Sequence, residues 1–397
     1  MALLSDAELL ARLVAFDTVS AKSNLPIVEF LRDYLERPGV VCELLASPDD
    51  GKANLLARVG EGAPDGAGLV LCGHLDVVPP GAGWTSDPFT LTRRDGRWVG
   101  RGACDMKGFV ALATNVAAAA DPRHLAAPLC LLFTYDEEVG SLGARHFAAG
   151  WPSGRPLPVS VVVGEPTGLR AVGMHKGHLR LRLSLRGTSA HSAYPHLGAS
   201  AIAPAGPAIS ALSALGEALA AESPPAGAHF PDVPYVALNI GRIEGGRAVN
   251  MVPDACVLDL GLRTLPGIDA DQLEERVREV LAPVLPPGRW RLERRGETPP
   301  FAGAADSPLY RELAALLGQE RPASVAFSTD AGWLATMGLD CVVWGPGSIT
   351  VAHQPDEHLE ERELAAARPL LETVVERFCH GGRPAGGGED EDACGAR

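Results

Sequence analysis

The chain has 397 residues and a mass of 41.5 kDa, a length that favours two domains over one. Apolar residues make up 46% of it and charged residues 21%, which is typical of a folded protein and excludes disorder along the whole chain. The 49 acidic residues outnumber the 35 basic ones, and the formal net charge is −14. Because phosphate binding needs a basic surface, this charge argues against nucleic acids and anionic membranes as partners.

The sequence predicts neither a membrane span nor a secretion signal. No apolar run reaches about 18 residues, and the first residues, MALLSDAELLARL, are acidic where a signal peptide needs basic residues. None of the 8 cysteines forms a Cys-x-x-Cys pair, so neither a thiolate zinc site nor a redox motif is predicted. We therefore expect a soluble, cytoplasmic protein with reduced cysteines.

The first part of the chain has the pattern of an α/β domain. Ser5 and Glu8 form a capping box that opens a first helix, and a second helix is predicted at about 25–36. Short runs that are apolar throughout then alternate with helical stretches, as in strands buried on both faces of a sheet. The predicted strands are 40–45, 54–59, 69–72, 129–134 and 159–163, and the predicted helices between them are 108–120 and 143–149.

The pattern changes near residue 178. Residues 179–185 alternate between apolar and polar, which indicates a strand with one face in water. The elements predicted next are a helix at 199–221, strands at 235–243 and 255–262, and a helix at 269–281. This order predicts a small α+β domain, 178–290, inserted into a domain made of 1–177 and 291–380. The Gly-rich, acidic residues 381–397 are predicted to be a disordered tail.

Polar side chains follow the predicted strands at the edge where an open α/β sheet binds its ligands. Each apolar run is followed by a histidine or a carboxylate. These residues are His74 and Asp76 after 69–72, Asp105 after 98–104, Glu137 and Glu138 after 129–135, Glu165 after 159–163, and His353 after 341–344 and a Gly-Pro-Gly turn.

Taken singly, each of these residues has an ordinary structural explanation. A His-x-Asp sequence is common in turns and caps, and the adjacent Glu137 and Glu138 would suit the first turn of a helix. Taken together, several carboxylates at one sheet edge would repel one another unless cations neutralise them. Imidazole and carboxylate ligands without thiolate suit zinc, manganese or cobalt. The group therefore predicts a metal site.

The spacing also indicates roles within this site. Residues i and i+2 of a strand face the same side, so His74 can bind a metal while Asp76 holds its other ring nitrogen. Three carboxylate ligands and a bridging hydroxide carry four negative charges, which would balance two divalent cations. Adjacent Glu137 and Glu138 point apart, so one can bind metal while the other acts as a general base toward the attacking water.

Five segments in combination resemble a known family. They are GHLDVVP at 73–79, GACDMKG at 102–108, YDEEVG at 135–140, GEPT at 164–167, and GPGS at 345–348 followed by HQPDE at 353–357. Over residues 5–378 the chain is similar to the co-catalytic zinc metallopeptidase family of acetylornithine deacetylase and succinyl-diaminopimelate desuccinylase. The resemblance implies a zinc-binding α/β domain with a mixed sheet and an inserted lid domain that mediates formation of a homodimer.

The resemblance also implies a ligand set for two divalent metal ions, zinc in the first place, with cobalt able to substitute. His74 and Glu165 would bind one ion. Glu138 and His353 would bind the other, and Asp105 would bridge the two. The peptide bond after Asp105 would be cis.

The same resemblance implies roles for residues that are not metal ligands. Asp76 would orient the histidine ligand, and Glu137 would be the general acid/base. In the inserted domain, His191 would contact the substrate carbonyl in the partner subunit's site. Asn250 and Arg263 would contact the carboxylate of the substrate.

Within the family, HKG at 175–177 and the YDEEVG and GPGSI segments resemble acetylornithine deacetylases. This implies hydrolysis of the amide bond of an N-acyl amino acid, N-acetylornithine giving ornithine and acetate in arginine biosynthesis. Two segments differ: TDAG at 329–332 replaces the TEAG of the deacetylases, and HSAYPH at 191–196 is more similar to desuccinylases. A succinyl-diaminopimelate desuccinylase, a dipeptidase and a catalytically inactive metal-binding homologue are the alternatives, and the complete ligand set argues against the last.

Overall fold

The computed structural model describes residues 3–62, 66–304 and 306–380, so the tail predicted at 381–397 lies outside the described residues. None of the helices in these ranges has the length and apolar content that crossing a bilayer requires. The α-helices of the described ranges are α1 Asp6–Val14, α2 Leu25–Leu35, α3 Gly108–Ala119, α4 Leu142–Gly150, α5 Ala205–Ala221, α6 Ala270–Leu281, α7 Pro308–Leu317, α8 Ala331–Thr336 and α9 Glu361–Cys379.

The β-strands of the same ranges form three sheets. They are β1 Val40–Ala46, β2 Ala53–Val59, β3 Leu69–His74, β4 Thr92–Arg94, β5 Arg97–Val99, β6 Leu129–Thr134, β7 Ser160–Val163, β8 Val172–His175, β9 His178–Arg186, β10 Ala237–Gly245, β11 Ala255–Arg263, β12 Trp290–Thr298, β13 Phe301–Ala302, β14 Ala323–Val325, β15 Asp340–Val343 and β16 His358–Glu360.

A nine-stranded central sheet carries the site. Its order is β1-β2-β6-β3-β7-β15-β8-β13, and β14 also pairs with β8. The pairs β6–β3, β3–β7 and β7–β15 are parallel, whereas β1–β2 and β2–β6 are antiparallel. The mixed α/β sheet is therefore confirmed. The carboxyl ends of the four adjacent parallel strands meet at one edge, as the ligand-binding edge of such a sheet requires.

Helices cover both faces of the central sheet. Leu69 and Leu71 of β3 pack into a core with residues of α1, α2, α3, α7 and α9, whereas Val70 and Cys72 pack into a second core with residues of α4 and α8. β3 is buried along its whole length, as its apolar sequence predicted. The same prediction was wrong for β1, which lies at the edge of the sheet and leaves Val41 46% exposed.

A four-stranded antiparallel sheet, the small sheet, is built from the middle of the chain in the order β10-β11-β9-β12. The leucines at alternate positions of β9, from Leu179 to Leu185, pack against α5 and α6. The other face of β9 is only partly buried, as the alternating pattern predicted. Because β12 pairs with β9, the small sheet continues to Thr298, past the boundary predicted at 290.

The segment before Asp105 differs from its prediction as a strand of the central sheet. Only β5 is extended there, and it belongs to a separate three-stranded sheet with β4 and β16. The strand ends because Gly102 has a φ of +78°, a conformation that glycine adopts readily. Asp105 lies in a π-helical turn, Ala103–Lys107, directly before α3. It therefore reaches the site from the start of a helix.

Gly164 allows a close approach between β7 and α3. A Cβ atom at this position would lie 1.9 Å from the ring of Phe109. We expect Gly164→Ala to destabilise the fold by about 1–3 kcal/mol, because the buried ring has to move. Thermal unfolding would measure the change. The matched control is Gly206→Ala in α5, where a Cβ meets nothing within 4 Å and a small stabilisation is expected. Equal midpoints for the two variants would contradict this account.

Candidate metal centre

The structure brings the five predicted metal ligands together in two groups that share one residue. The first group is His74, Asp105 and Glu165, and the second is Asp105, Glu138 and His353. Within each group, one nitrogen or carboxylate oxygen per residue lies within 4.8 Å of the others. The groups coincide with the two ligand sets implied by the family resemblance. The peptide bond between Asp105 and Met106 is cis, as the resemblance also implied.

The two oxygens of Asp105 face different histidines. Oδ1 lies 3.0 Å from Nε2 of His74, and Oδ2 lies 3.3 Å from Nε2 of His353. Nε2 of His353 is also 3.0 Å from Oε2 of Glu138, and Nε2 of His74 is 4.0 Å from Oε1 of Glu165. Imidazole nitrogens and carboxylate oxygens that converge in this way fit zinc and similar divalent cations.

The ionisation of these carboxylates requires compensating positive charge. Burial, and next the charge of Asp105, raise the pKa of Glu165 well above its ordinary value. The same two causes raise the pKa of Glu138 to about 7. For Asp105 burial acts in the same direction, but hydrogen bonds from His353 and His74 outweigh it and lower the pKa. Two divalent cations would supply the charge that lets all three carboxylates ionise together.

His74 is oriented by the main chain of Asp76. Its Nδ1 lies 2.9 Å from the carbonyl oxygen of Asp76, whereas the nearest carboxylate oxygen of Asp76 is 3.7 Å away. Nδ1–H therefore donates to the carbonyl, so that Nε2 would present its lone pair to a bound cation. The predicted contact between the two residues exists, but it is made by the backbone rather than by the carboxylate.

The Asp76 carboxylate instead holds the loop that follows β6. It accepts the backbone N–H groups of Glu137 at 3.0 Å and of Glu138 at 3.3 Å. It also accepts a hydrogen bond of 2.7 Å from Oγ of Ser20. Because Asp76 is only 2% exposed, this carboxylate fixes both glutamates relative to His74.

Glu137 lies beside the metal ligands without being part of either group. Burial raises its pKa well above the ordinary value, and the carboxylate of Asp330 adds to the effect, although His74 opposes it. Its Oε1 accepts a hydrogen bond of 3.3 Å from Oγ of Ser141. A raised pKa makes a glutamate a stronger base and keeps its protonated form to higher pH, and both properties suit acid/base catalysis.

Glu357 is a functional residue to which the sequence analysis gave no role. It is fully buried, and its Oε1 accepts the N–H groups of Cys104 at 3.0 Å and of Asp105 at 3.1 Å. Its other oxygen is paired with Arg101, which is also buried. The residue therefore fixes the turn that carries Asp105. The only signal in the sequence was its place in the HQPDE segment, four residues after His353.

Of the three substrate-contact residues predicted in the inserted segment, one lies in the cleft of its own chain and two do not. Arg263 lines the cleft above the metal ligands. His191 and Asn250 are exposed on neighbouring turns, where the N–H of Ser192 donates to the carbonyl of Asn250 at 3.0 Å. Within the single chain, neither of the two is among the residues that line the cleft.

The cleft has a volume of about 200 Å³ and has two chemically different sides. Carboxylates of the metal ligands and Glu137 form one side, and His178, Arg180 and Arg263 of the small sheet form the other. A buried glutamate with a raised pKa beside two adjoining groups that could hold cations is the arrangement expected of a metal-dependent hydrolase.

Comparison with known proteins identifies the family. The chain belongs to peptidase family M20/M25/M40, whose sequence profile matches residues 70–377. It is 37% identical over 384 residues to an acetylornithine deacetylase of Proteus mirabilis, covering 94% of this chain and 96% of that protein. An acetylornithine deacetylase of Pectobacterium atrosepticum is 36% identical over 386 residues, covering 94% and 97%.

Solved structures of the family have the same fold. A metallo-carboxypeptidase of Sulfolobus solfataricus superposes with a TM-score of 0.75 at 18% identity, covering 95% of this chain and 99% of that one. A dinuclear metal-binding peptidase of Bacillus subtilis gives 0.62 at 18% identity, covering 94% and 97%. These structures confirm the fold, whereas the family profile and the sequence relatives confirm the family resemblance and make the protein a metal-dependent hydrolase.

The contacts of Glu357 generate a prediction about metal retention. Glu357→Gln keeps the shape of the side chain but removes the charge that accepts the N–H of Asp105. Residues that orient ligands in this way are typically worth about 10- to 100-fold in metal affinity, and we expect a loss of that size. Titration with zinc, followed by elemental analysis after dialysis, would measure it.

The matched control is Glu361→Gln, which removes a surface ion pair with Arg93 and should leave zinc affinity unchanged. Circular dichroism would verify that both variants fold. Two zinc ions per chain at wild-type affinity in Glu357→Gln would show that the turn carrying Asp105 is held by other contacts.

Proposed function

We propose that this protein hydrolyses N-acetylornithine to ornithine and acetate. The observation that carries the chemistry is the pair of ligand groups sharing Asp105, with Glu137 beside them. The choice of substrate is supported by the identity of 36–37% to acetylornithine deacetylases along almost the whole of both chains. This activity would place the protein in arginine biosynthesis.

The proposed cofactor is a pair of zinc ions, for which cobalt can substitute. His74 and Glu165 would hold one ion, Glu138 and His353 the other, and Asp105 would contact both. Bound divalent cations polarise an amide carbonyl and lower the pKa of water, which supplies the electrophile and the nucleophile of the reaction.

Glu137 would move the proton that the reaction requires. In hydrolysis, the water oxygen forms a bond to the acyl carbon, and the bond from that carbon to the amide nitrogen breaks. Glu137 would take a proton from the attacking water and deliver it to the leaving nitrogen, so that the products are a carboxylic acid and an amine. Its raised pKa supports this role, because the protonated form can persist until the nitrogen leaves.

We further propose a cytoplasmic homodimer in which His191 and Asn250 act across the subunit interface. Both residues are exposed in the single chain and do not line its own cleft. From the turn that carries it in the partner subunit, His191 would donate a hydrogen bond to the carbonyl oxygen as negative charge develops there. Asn250 and Arg263 would contact the substrate carboxylate.

A panel of substrates tests the proposed function. The protein, supplied with zinc or cobalt, is assayed with N-acetylornithine, succinyl-diaminopimelate and a set of dipeptides, and the released acetate, succinate or amino acid is quantified. We expect kcat/KM for N-acetylornithine to exceed the other values by at least about 10-fold, a difference that a few lost contacts produce. Faster release of succinate would make the protein a desuccinylase, and no release from any substrate would support the inactive alternative.

The homodimer generates a second prediction. His191→Ala should lower turnover by about 10²- to 10³-fold, and Glu137→Gln by about 10²- to 10⁴-fold. If His191 acts in the partner's site, subunit exchange between the two variants restores activity. Each mixed dimer then contains one site that lacks both groups and one site that is intact.

Each variant incubated alone is the control for this exchange, and native mass spectrometry would verify that mixed dimers form. Mixed dimers without activity would place His191 in its own subunit's site or restrict it to a structural role in its turn.

A further inference from the structure

The small sheet presents a cationic face to the metal ligands, formed by His178, Arg180 and Arg263. His178 and Arg180 are two residues apart on β9 and so project from the same face. Leu262 of β11 pairs with Leu179, which places Arg263 opposite His178 on that face. Burial, followed by the charges of Arg263 and Arg180, lowers the pKa of His178 to about 4. The imidazole is therefore neutral, and the positive charge belongs to the two arginines.

Both guanidiniums of this face are attracted by the same carboxylate, that of Glu137, without a hydrogen bond to it. Among the described residues, no side chain or carbonyl forms a hydrogen bond or ion pair with Arg180 or Arg263. Arg182, the next residue on the same face of β9, is paired through two nitrogens with Asp259, at 2.6 and 2.9 Å. The single carboxylate of Glu137 leaves the two partly buried guanidiniums short of one negative charge, which an anionic group of a ligand would supply.

The position of Arg180 is fixed by two glycines. A Cβ atom at Gly140 would lie 1.8 Å from Nη2 of Arg180, and a Cβ atom at Gly296 would lie 2.4 Å from the same nitrogen. Gly140 belongs to the loop that carries Glu137, and Gly296 pairs with Arg180 across a bulge in β12. The guanidinium therefore fills a space that exists only because both positions lack side chains. A group held in place before binding loses little freedom when a ligand arrives.

One cleft therefore contains both the metal ligands and two arginines whose guanidiniums have no hydrogen-bonded partner among the described residues. An N-acyl amino acid has a carboxylate close to its amide bond. With the amide at the metal ligands, the carboxylate falls on the side of the cationic face. A carboxylate has two oxygens, and each can accept hydrogen bonds from a guanidinium.

We propose that Arg180 is a specificity-determining residue that binds, together with Arg263, the free carboxylate of an N-acyl amino acid. This inference rests on the proposed function, and it assigns to Arg180 a contact that the family motifs do not assign. The consequence is that the cleft selects N-acyl amino acids over N-acyl amines with the same acyl group and side chain.

A pair of substrates that differ only in the carboxylate tests the proposal. N-acetylputrescine has the amide and the terminal ammonium of N-acetylornithine but lacks its carboxylate. In Arg180→Gln we expect KM for N-acetylornithine to rise by about 10- to 100-fold, as expected for a lost charged hydrogen bond. Activity toward N-acetylputrescine should stay at the low level of the wild type. Arg180→Lys keeps the charge but not the paired donors of the guanidinium. Its KM for N-acetylornithine should therefore lie between those of the wild type and Arg180→Gln.

Binding of products gives a readout that is independent of turnover. By calorimetry, Arg180→Gln should weaken binding of L-ornithine and leave binding of putrescine unchanged. The matched control is Arg182→Gln, on the same strand and outside the cleft lining, which should leave both substrates and both products unaffected. Circular dichroism would verify folding. If Arg180→Gln failed to fold, the KM values and product affinities of Arg180→Lys would test the proposal in its place.

Two results would overturn the proposal. Equal losses for both substrates would mean that Arg180 supports the loop of Glu137 rather than binding a carboxylate. A wild-type protein without preference for the carboxylate would exclude a carboxylate subsite. If N-acetylornithine itself were not hydrolysed, the proposed function would fail separately. The comparison would then use the best N-acyl amino acid found and its decarboxylated counterpart.

Discussion

The requirement to neutralise several buried carboxylates at one sheet edge governs the structure of this site. Asp105, Glu138 and Glu165 lie close enough that burial and mutual repulsion raise the pKa of both glutamates. Each has an imidazole near it, but two histidines do not balance three carboxylates and Glu137. The ionised form of the site is therefore stable only with added positive charge. Cation binding and the arrangement of the ligand side chains consequently depend on each other.

Two further carboxylates, outside the ligand groups, give this cluster its rigidity. Asp76 accepts the N–H groups of the Glu137–Glu138 loop, and Glu357 accepts those of the turn that carries Asp105. In each case, a buried anion is satisfied by backbone donors that no strand or helix uses. The acidic residues near the site thus have two different roles. Some would contact the cations, and the others hold the backbone segments that carry those ligands.

The sequence analysis predicted what depends on local pattern. The buried strands and the one-sided strand β9 follow from hydrophobic period, and a metal site at the sheet edge follows from the residues placed after strands. The division of the ligands into two sets came from the family resemblance. Where tertiary contacts determine the local structure, the sequence analysis was incomplete or wrong. The exposure of β1 depends on its place at the sheet edge, and the route of Asp105 into the site depends on a left-handed glycine at position 102. Arg180 was missed because its partners in space, Gly140 and Gly296, are distant in sequence and have no side chains.

The arginines that line the cleft would also let a site rich in carboxylates accept the carboxylate of a substrate. Unscreened, the acidic cluster would repel a carboxylate, and a net charge of −14 would add to the repulsion at long range. Cations at the ligand groups would neutralise the carboxylates there, and the guanidiniums of Arg180 and Arg263 would supply positive charge beside them. Because the small sheet carries the arginines and the central sheet carries the metal ligands, the approach of one sheet to the other sets the distance between these charges. Under the proposed carboxylate contact, the small sheet would therefore determine which substrates the metal centre can use.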